Sequence, residues 1–350
     1  MNKLVSVIVP TFNREDLIER ALTSILNQTY TNIEIIVVDD SSQDHTHQIV
    51  DQFSNTKHKV IYIRNEKNLG AASSRNIGIR RSKGDYIAFL DSDDEWLDTH
   101  LEESIRILEK ENAFLSSAFW YERREGEEKV AFYNEKHVKE AITELNPKIE
   151  DNYYRFDRNF FQYAITHDFY CYHINTLVID RRAFQEVALF NSKLRASEDM
   201  DFSLRLIERY GLCLIRNYHF IYNQGNDNLY WFVERGALTP DIILQDEHLI
   251  DKLSFCNFYK SKMLILRKRL VKKTSTIEIK EPYLKKCNEK IARKYFAIAY
   301  MNKQRSVVNS LIYTLRAIKY DKQPIYLDFF ATLYSKKKRK EFSTDRIDIY

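Results

Sequence analysis

The sequence predicts an α/β fold: a mostly parallel sheet with helices on both faces, followed by a basic α-helical C-terminal extension. Three observations carry this expectation. Four short apolar runs alternate with helical patterns through the first 90 residues, the order that builds doubly wound sheets. A polar cluster follows each run, at the carboxyl ends of strands, where such sheets bind ligands. The formal charge of +4 also hides a division. Residues 251–350 hold 25 Lys and Arg against 9 Asp and Glu, a net of +16, which leaves −12 on residues 1–250.

The elements follow in order. Residues 4–9, LVSVIV, read as the first strand, with Thr11-Phe12-Asn13 as its turn. Residues 15–28 place Leu17, Ile18, Ala21, Leu22, Ile25 and Leu26 on one helical face. IEIIVV at 33–38 is nearly continuous in apolar character, as a strand covered on both faces is. Asp39-Asp40-Ser41-Ser42 stops it. A polar helix over 44–55, a strand at 59–63, a helix over 71–82 and a strand at 85–90 complete the series. Three of only seven glycines fall in residues 70–84. Gly70 is expected to open the helix and Gly84 to close it at the C′ position. Gly78 lies inside the helix, where Gly costs about 1 kcal/mol against Ala, so it marks a close approach.

Four clusters carry candidate chemistry. FLDSDDEW at 89–96 delivers Asp91, Asp93 and Asp94 at the end of the fourth strand. Carboxylates this close repel one another unless a cation or strong donors stand nearby, and oxygen ligands suit Mg²⁺ or Mn²⁺ completed by a diphosphate. The same residues also read as a solvated acidic turn that caps the next helix. Asp39-Asp40 offers carboxylates to a base N–H or to ribose hydroxyls, or a second helix cap. Arg75 points from the 71–82 helix toward the ligand end, or makes a surface ion pair. In RASEDMDFSLRL, Ser197 resembles an N-cap, and Glu198, Asp199 and Asp201 fall in the first turn, where the dipole favours anions. One of them could serve as a general base. No glycine-rich phosphate loop follows the first strand, which makes a Rossmann dehydrogenase and a P-loop NTPase poor readings.

Taken together, VSVIVPTFNRE, SILNQTYTNIEIIVVDDSS, NLGAASSRNIGIRRSKGDYIAFLDSDDEW and FNSKLRASEDMDFSLRL resemble the family 2 glycosyltransferases of the GT-A fold, which are inverting and nucleotide-sugar dependent. The resemblance is dense over about 4–120 and thinner over 170–211. It implies that Pro10, Thr11 and Asn13 lie against the nucleotide, that Asp40 recognises uracil or another base, and that Gly70 and Arg75 line the nucleotide side. It implies that Asp91 serves ribose or metal, that Asp93 coordinates Mn²⁺ or Mg²⁺, and that Asp199 is the base with Glu198 beside it. Family members often carry an Arg-x-His stretch later in the chain; the comparable FIYNQGNDNLYW at 220–231 has none. The resemblance implies as partners a nucleotide-sugar donor, UDP-linked, and a glycan or lipid-linked glycan acceptor. The rival readings are a nucleotidyltransferase and a noncatalytic glycan- or nucleic-acid-binding protein.

The expected domains are a catalytic 1–240, with a nucleotide-binding half at 1–120 and an acceptor half at 121–240, and a basic helical extension at 241–350. The boundary is set at Gly236–Pro240. Aromatics crowd residues 120–172 and read first as core, second as a sugar-stacking surface. Residues 242–270 and 285–320 read as helical, the latter as a hairpin. SKKKRKEF at 335–342 and the basic helices before it suggest an anionic membrane surface as partner. No nucleic-acid partner is expected, because no nucleic-acid-binding fold is recognised. Four widely spaced Cys, no CxxC pair, no signal peptide and no 18-residue apolar run predict a cytoplasmic protein, peripheral at most to the inner face of the cell membrane.

Overall fold

The computed structural model describes residues 3–54, 56–124, 127–132, 135–167, 169, 171–224, 240–274, 278 and 281–342. The chain divides into two compact units, Met1–Gly225 and Asn226–Tyr350. The boundary expected at Gly236–Pro240 lies, apart from Pro240, outside the described residues.

The first unit opens with the expected alternation: β1 (Val5–Thr11), α1 (Ile18–Leu26), β2 (Ile33–Asp39), α2 (Thr46–Asp51), β3 (Lys59–Arg64), α3 (Ala71–Arg81) and β4 (Tyr86–Phe89). It continues through β5 (Glu95–Trp96), α4 (His100–Glu111), β6 (Leu115–Arg124), β7 (Val130–Phe132), α5 (Glu135–Leu145), β8 (Lys148–Ile149), β9 (Tyr153–Phe156), α6 (Phe160–His167), β10 (Val178–Asp180), α7 (Glu198–Tyr210) and β11 (Leu212–Gln224). The sheet order is β3-β2-β1-β4-β10-β6-β11-β9-β8. The first four strands are parallel. β10 then inserts antiparallel to both β4 and β6, so the sheet is mixed beyond β4. β1 and β2 are buried along their whole length, which is why both lack polar alternation.

Two glycines set how closely helix and strand approach. A Cβ on Gly78 would stand 2.4 Å from Ile8 Cγ2, which lets α3 lie tight on β1. Gly84 is not the left-handed helix cap that its spacing predicts. The helix ends at Arg81 with Ser82 in extended backbone, and a Cβ on Gly84 would meet the Ser6 backbone nitrogen at 2.5 Å. α1 starts at Ile18 rather than Glu15. The N–H groups of Asn13, Arg14 and Glu15 donate to Ser42 Oγ, Thr46 Oγ1 and Asp44 Oδ2 at 2.9, 2.9 and 3.0 Å. These side chains bond the backbone outside any helix and lock together the loops after β1 and β2.

The described aromatics of the 120–172 stretch are mostly core, with Tyr121 half-buried; Tyr133 and Tyr170 lie outside the described residues. Tyr153, Tyr154, Phe156, Phe160, Phe161, Tyr163, Phe169 and Tyr172 are all buried, with Phe156 against Phe160 at a ring separation of 4.7 Å. The four cysteines are buried thiols, outside any disulfide.

The second unit is helical: α8 (Pro240–Gln245), α9 (Glu247–Thr274), α10 (Glu281–Met301), α11 (Val307–Tyr320), α12 (Pro324–Thr332) and α13 (Lys336–Glu341). Its core gathers Ile243, Leu249, Ile250, Leu253, Ala297 and Met301. Asp246 Oδ1 accepts from Leu249 N at 3.0 Å and starts α9 afresh. The expected 285–320 hairpin is α10 and α11, turned at Ser306, whose Oγ accepts from Asn309 N. No helix among the described residues is long and apolar enough to cross a membrane.

Candidate active site

The site is built at the carboxyl ends of β1, β2 and β4, with α3 and α7 bringing side chains to it. At the end of β1, Pro10 is still in the strand, paired with Val38 of β2. Thr11 is buried, and its Oγ1 has no hydrogen-bond partner among the described residues. Asn13 turns with a φ of 51°, and its Oδ1 accepts from Gln43 N at 2.8 Å. At the end of β2, Asp39 Oδ1 accepts from Ser42 N at 2.8 Å and its Oδ2 from the Tyr62 hydroxyl.

Asp40 is buried, and its carboxylate organises the segment that leads into α3. Oδ1 accepts from Asn65 Nδ2 and Leu69 N, each at 2.8 Å, and Oδ2 accepts from Gly70 N at 2.7 Å. Gly70 holds a φ of 86° at the helix N-cap, a conformation that favours Gly.

Arg75, on α3, is the hub. Its side chain is 5% exposed; Nη2 donates to Asp91 Oδ1 at 2.6 Å and Nη1 to Glu198 Oε1 at 2.9 Å. The guanidinium also lies 5.6 Å from the centre of the Phe190 ring. Burial works against its charge, but Asp91 and Glu198 outweigh burial and raise its pKa. So Arg75 lines the site as an internal ion-pair bridge, with neither arm directed to solvent. Among the acids, burial opposes ionisation of Asp91, yet Arg75 holds it below the usual carboxylate range. Burial and then the Asp91 charge push Asp93 up, while Arg14, whose Nη2 lies 3.6 Å from Asp93 Oδ2, opposes them. Burial pushes Asp94 well up, with Asp93 and Asp91 adding to it. Asp94 Oδ2 accepts from Asn175 Nδ2 and its Oδ1 from Asn223 N, both at 2.7 Å, so both its oxygens are engaged in the fold.

Glu198 and Asp199 open α7 side by side. Ser197 holds the N-cap position in left-handed backbone (φ 60°) and makes no capping hydrogen bond, unlike the cap its sequence context predicts. Burial first, and then the adjacent Asp199 charge, push Glu198 up to about 7; Arg75 opposes them only in part. The Asp199 charge acts on Arg75 and on His173, which places all three in one electrostatic cluster with Asp91. Asp201, in the same turn, is buried and pairs with Arg205 at 3.0 Å, so it serves the helix.

Several site residues carry no local sequence signal. Asn175 is fully buried in the turn before β10. Its Oδ1 accepts from Asp91 N at 3.1 Å, its Nδ2 holds Asp94, and its carbonyl accepts from Trp96 Nε1 at 2.6 Å. His173 stacks on Phe220 at 4.9 Å. Burial lowers its pKa against the pull of Asp91 and Asp199. Burial and the three aspartates raise the Tyr222 hydroxyl. Of the 220–231 stretch, residues 225–231 lie outside the described residues. Among the described residues, no group of three or more His, Cys, Asp or Glu side chains is gathered as a metal cage.

The fold is an α/β domain with acids gathered at its strand ends, and comparison with known proteins assigns its family. Residues 6–178 match the family model for glycosyl transferase family 2, and this part of the chain belongs to that family. Over 119 residues the chain is 43% identical to the UDP-Glc:alpha-D-GlcNAc-diphosphoundecaprenol beta-1,3-glucosyltransferase WfaP of Escherichia coli, a match covering 34% of this chain and 47% of that relative. The chain spans about half the length of that relative and between 14% and 62% of other curated relatives it matches. Among solved structures, it is similar to S. aureus TarS 1–349 in complex with UDP-GlcNAc, with a TM-score of 0.55 and 16% identity over 97% of this chain and 93% of that one. It is also similar to the mannosyltransferase PcManGT of Pyrobaculum calidifontis in complex with GDP-Man and Mn²⁺, with a TM-score of 0.53 and 15% identity over 96% of this chain and 82% of that one. At these identities the two structures bear on the fold alone.

Proposed function

We propose that this chain is an inverting glycosyltransferase that moves a sugar from a UDP-linked donor to a hydroxyl of a glycan acceptor, in lipid-linked glycan or cell-surface polysaccharide synthesis. The observation that carries this reading is the Arg75 bridge between Asp91 and Glu198. It draws the acids after β4 and the acids that open α7 into one cluster, the pairing that donor activation and acceptor deprotonation need. The WfaP relative is named for a UDP-Glc donor and a diphosphoundecaprenol-linked acceptor, which supports both halves of the proposal.

On the donor side, Asp40 uses three of about four carboxylate lone-pair sites. One site remains for an N–H of the base. Pro10 and Asn13 shape the same edge, and the unpartnered Thr11 Oγ1 supplies a polar atom there. Asp91 and Asp93 suit a divalent cation, Mn²⁺ or Mg²⁺. They are two hard oxygen donors, the charge of one raises the other, and ions of this kind complete their shell with substrate phosphates. When bound, such an ion offsets the negative charge that develops on the leaving nucleoside diphosphate. On the acceptor side, Asp199 takes the proton from the attacking hydroxyl. The acceptor hydroxyl oxygen bonds to the anomeric carbon while the bond to the diphosphate breaks, and configuration inverts. Glu198 and Arg75 hold the start of α7 against the Asp91 loop, which keeps Asp199 in place.

A panel test decides the proposal. Purified protein with Mn²⁺ or Mg²⁺ is screened against nucleotide sugars for thermal stabilisation and nucleotide release. A UDP-sugar is expected to raise the melting temperature and to release UDP. If no nucleoside diphosphate sugar binds, the proposal fails.

A further inference from the structure

We propose that the outer face of α11 is a docking face for an anionic lipid surface. The inference stands on the helical unit alone and does not depend on the transfer reaction.

The helix is turned against the usual rule for a soluble protein, in which the large apolar side chains face the core. α11 buries Ser310, Thr314 and Ala317, and Ser310 Oγ donates to the Ala299 carbonyl of α10 at 2.8 Å. Val308, Ile312 and Leu315 are 65%, 41% and 50% exposed instead. Spacings of four and three residues put these three on one stripe, and four more bring Lys319 onto the same stripe. Lys319 and Lys322 are exposed, and neither forms an ion pair among the described residues. A stripe of exposed aliphatic side chains that ends in free ammonium groups is the pattern of a helix lying in a bilayer interface. Each basic residue near an anionic leaflet adds to such binding.

The rest of the unit argues for lipid over protein. Between residues 301 and 342 there are ten Lys and Arg and three Asp and Glu. Lys336, Lys337 and Lys338 of α13 are exposed, and Tyr334 just before them is 75% exposed. A second copy docking through the same face would set these like charges against one another. Among the described residues no helix is long and apolar enough to cross a membrane, and the proposed contact is a peripheral one.

The test uses the full chain and vesicles of phosphatidylcholine with or without about 30% phosphatidylglycerol, near physiological salt. Wild type is expected to sediment with the anionic vesicles only. Ile312→Glu/Leu315→Glu should weaken that binding by at least about tenfold, since it removes apolar insertion and adds repulsion. Lys319→Glu/Lys322→Glu should weaken it as well. Ile149→Glu, which alters an exposed apolar residue outside this unit, should bind as wild type does; circular dichroism and melting temperature verify that each variant folds. The proposal is overturned if the stripe variant sediments like wild type, or if wild type does not distinguish the two vesicles. It is also overturned if wild type ignores vesicles and forms a dimer that the stripe variant dissolves. UDP-sugar binding, read in parallel on the same samples, shows whether the transfer proposal and the docking proposal stand or fall separately.

Discussion

At the scale of single residues, the site divides acids that act from acids that hold. Among the described residues Asp199 makes no hydrogen bond or ion pair with another side chain; its Oδ1 accepts from the adjacent Met200 N at 2.8 Å, which suits the role of base proposed for it. Asp199→Asn is therefore expected to abolish sugar transfer while leaving donor affinity within a few fold, measured by a transfer assay and by calorimetric titration of the donor. Near wild-type transfer by that variant would remove Asp199 as the base. Glu198 yields a pH signature. Its pKa is pushed up to about 7 in the fold against 4.5 as the ordinary value, so between these pH values the native state binds more protons than the unfolded chain. The stabilisation that its raised pKa brings is complete below about pH 4.5 and is lost as pH climbs through about 7. Its full extent is on the order of 3 kcal/mol. Glu198→Gln should flatten this fall in a series of denaturant melts from pH 4.5 to 8; an unchanged slope would assign the pH dependence elsewhere. Asn175 holds the acidic loop at both ends. Asn175→Ala leaves the buried Asp94 Oδ2 without its donor, which should cost about 1–3 kcal/mol in urea unfolding. Because Asn175 also bonds Asp91 N, the variant should raise the KM for the donor as well, a shift that instability alone would not produce.

At the scale of elements, close approach explains what periodicity missed. The helical pattern runs from residue 15, while α1 begins at Ile18, and Ser42, Asp44 and Thr46 side chains bond the backbone N–H groups of residues 13–15 ahead of it. Gly84 reads as a helix cap by its position, but what it avoids is a collision with β1. The two glycines should therefore respond differently to a methyl group. At Gly78 the obstacle is the Ile8 side chain, whereas at Gly84 it is the Ser6 and Leu4 backbone within the sheet. Gly78→Ala is expected to cost about 1–3 kcal/mol through overpacking, and Gly84→Ala more, because a strand backbone cannot turn away as a side chain can. Urea melts of both variants give the order; an equal or reversed ranking would mean that α3 and its exit loop shift more freely than this packing allows.

At the scale of the whole molecule, two units with separate cores carry opposite charge. Residues 1–225 should fold alone, since the sheet and its helices bury a core of their own. Such a fragment is expected to keep UDP-sugar binding and to lose sedimentation with anionic vesicles; retained sedimentation would place the lipid contact in the first unit. The strand and helix series of the first 90 residues, the acids at the strand ends and the basic helices at the end were legible in the sequence by itself. Each depends on a local pattern: hydrophobic period, strand-end polarity or charge density. The insertion of β10 between β4 and β6, the Arg75 bridge to Glu198 123 positions away and the Asn175 bond to Asp91 84 positions away were decided only by tertiary structure. No local pattern records them, because burial makes each polar group depend on whichever partner the fold brings to it. The same reason separates the last two aspartates of the DSDD run: Asp94, enclosed by Asn175 and Asn223, holds the loop together, while Asp93 faces Arg14 and keeps part of its side chain exposed.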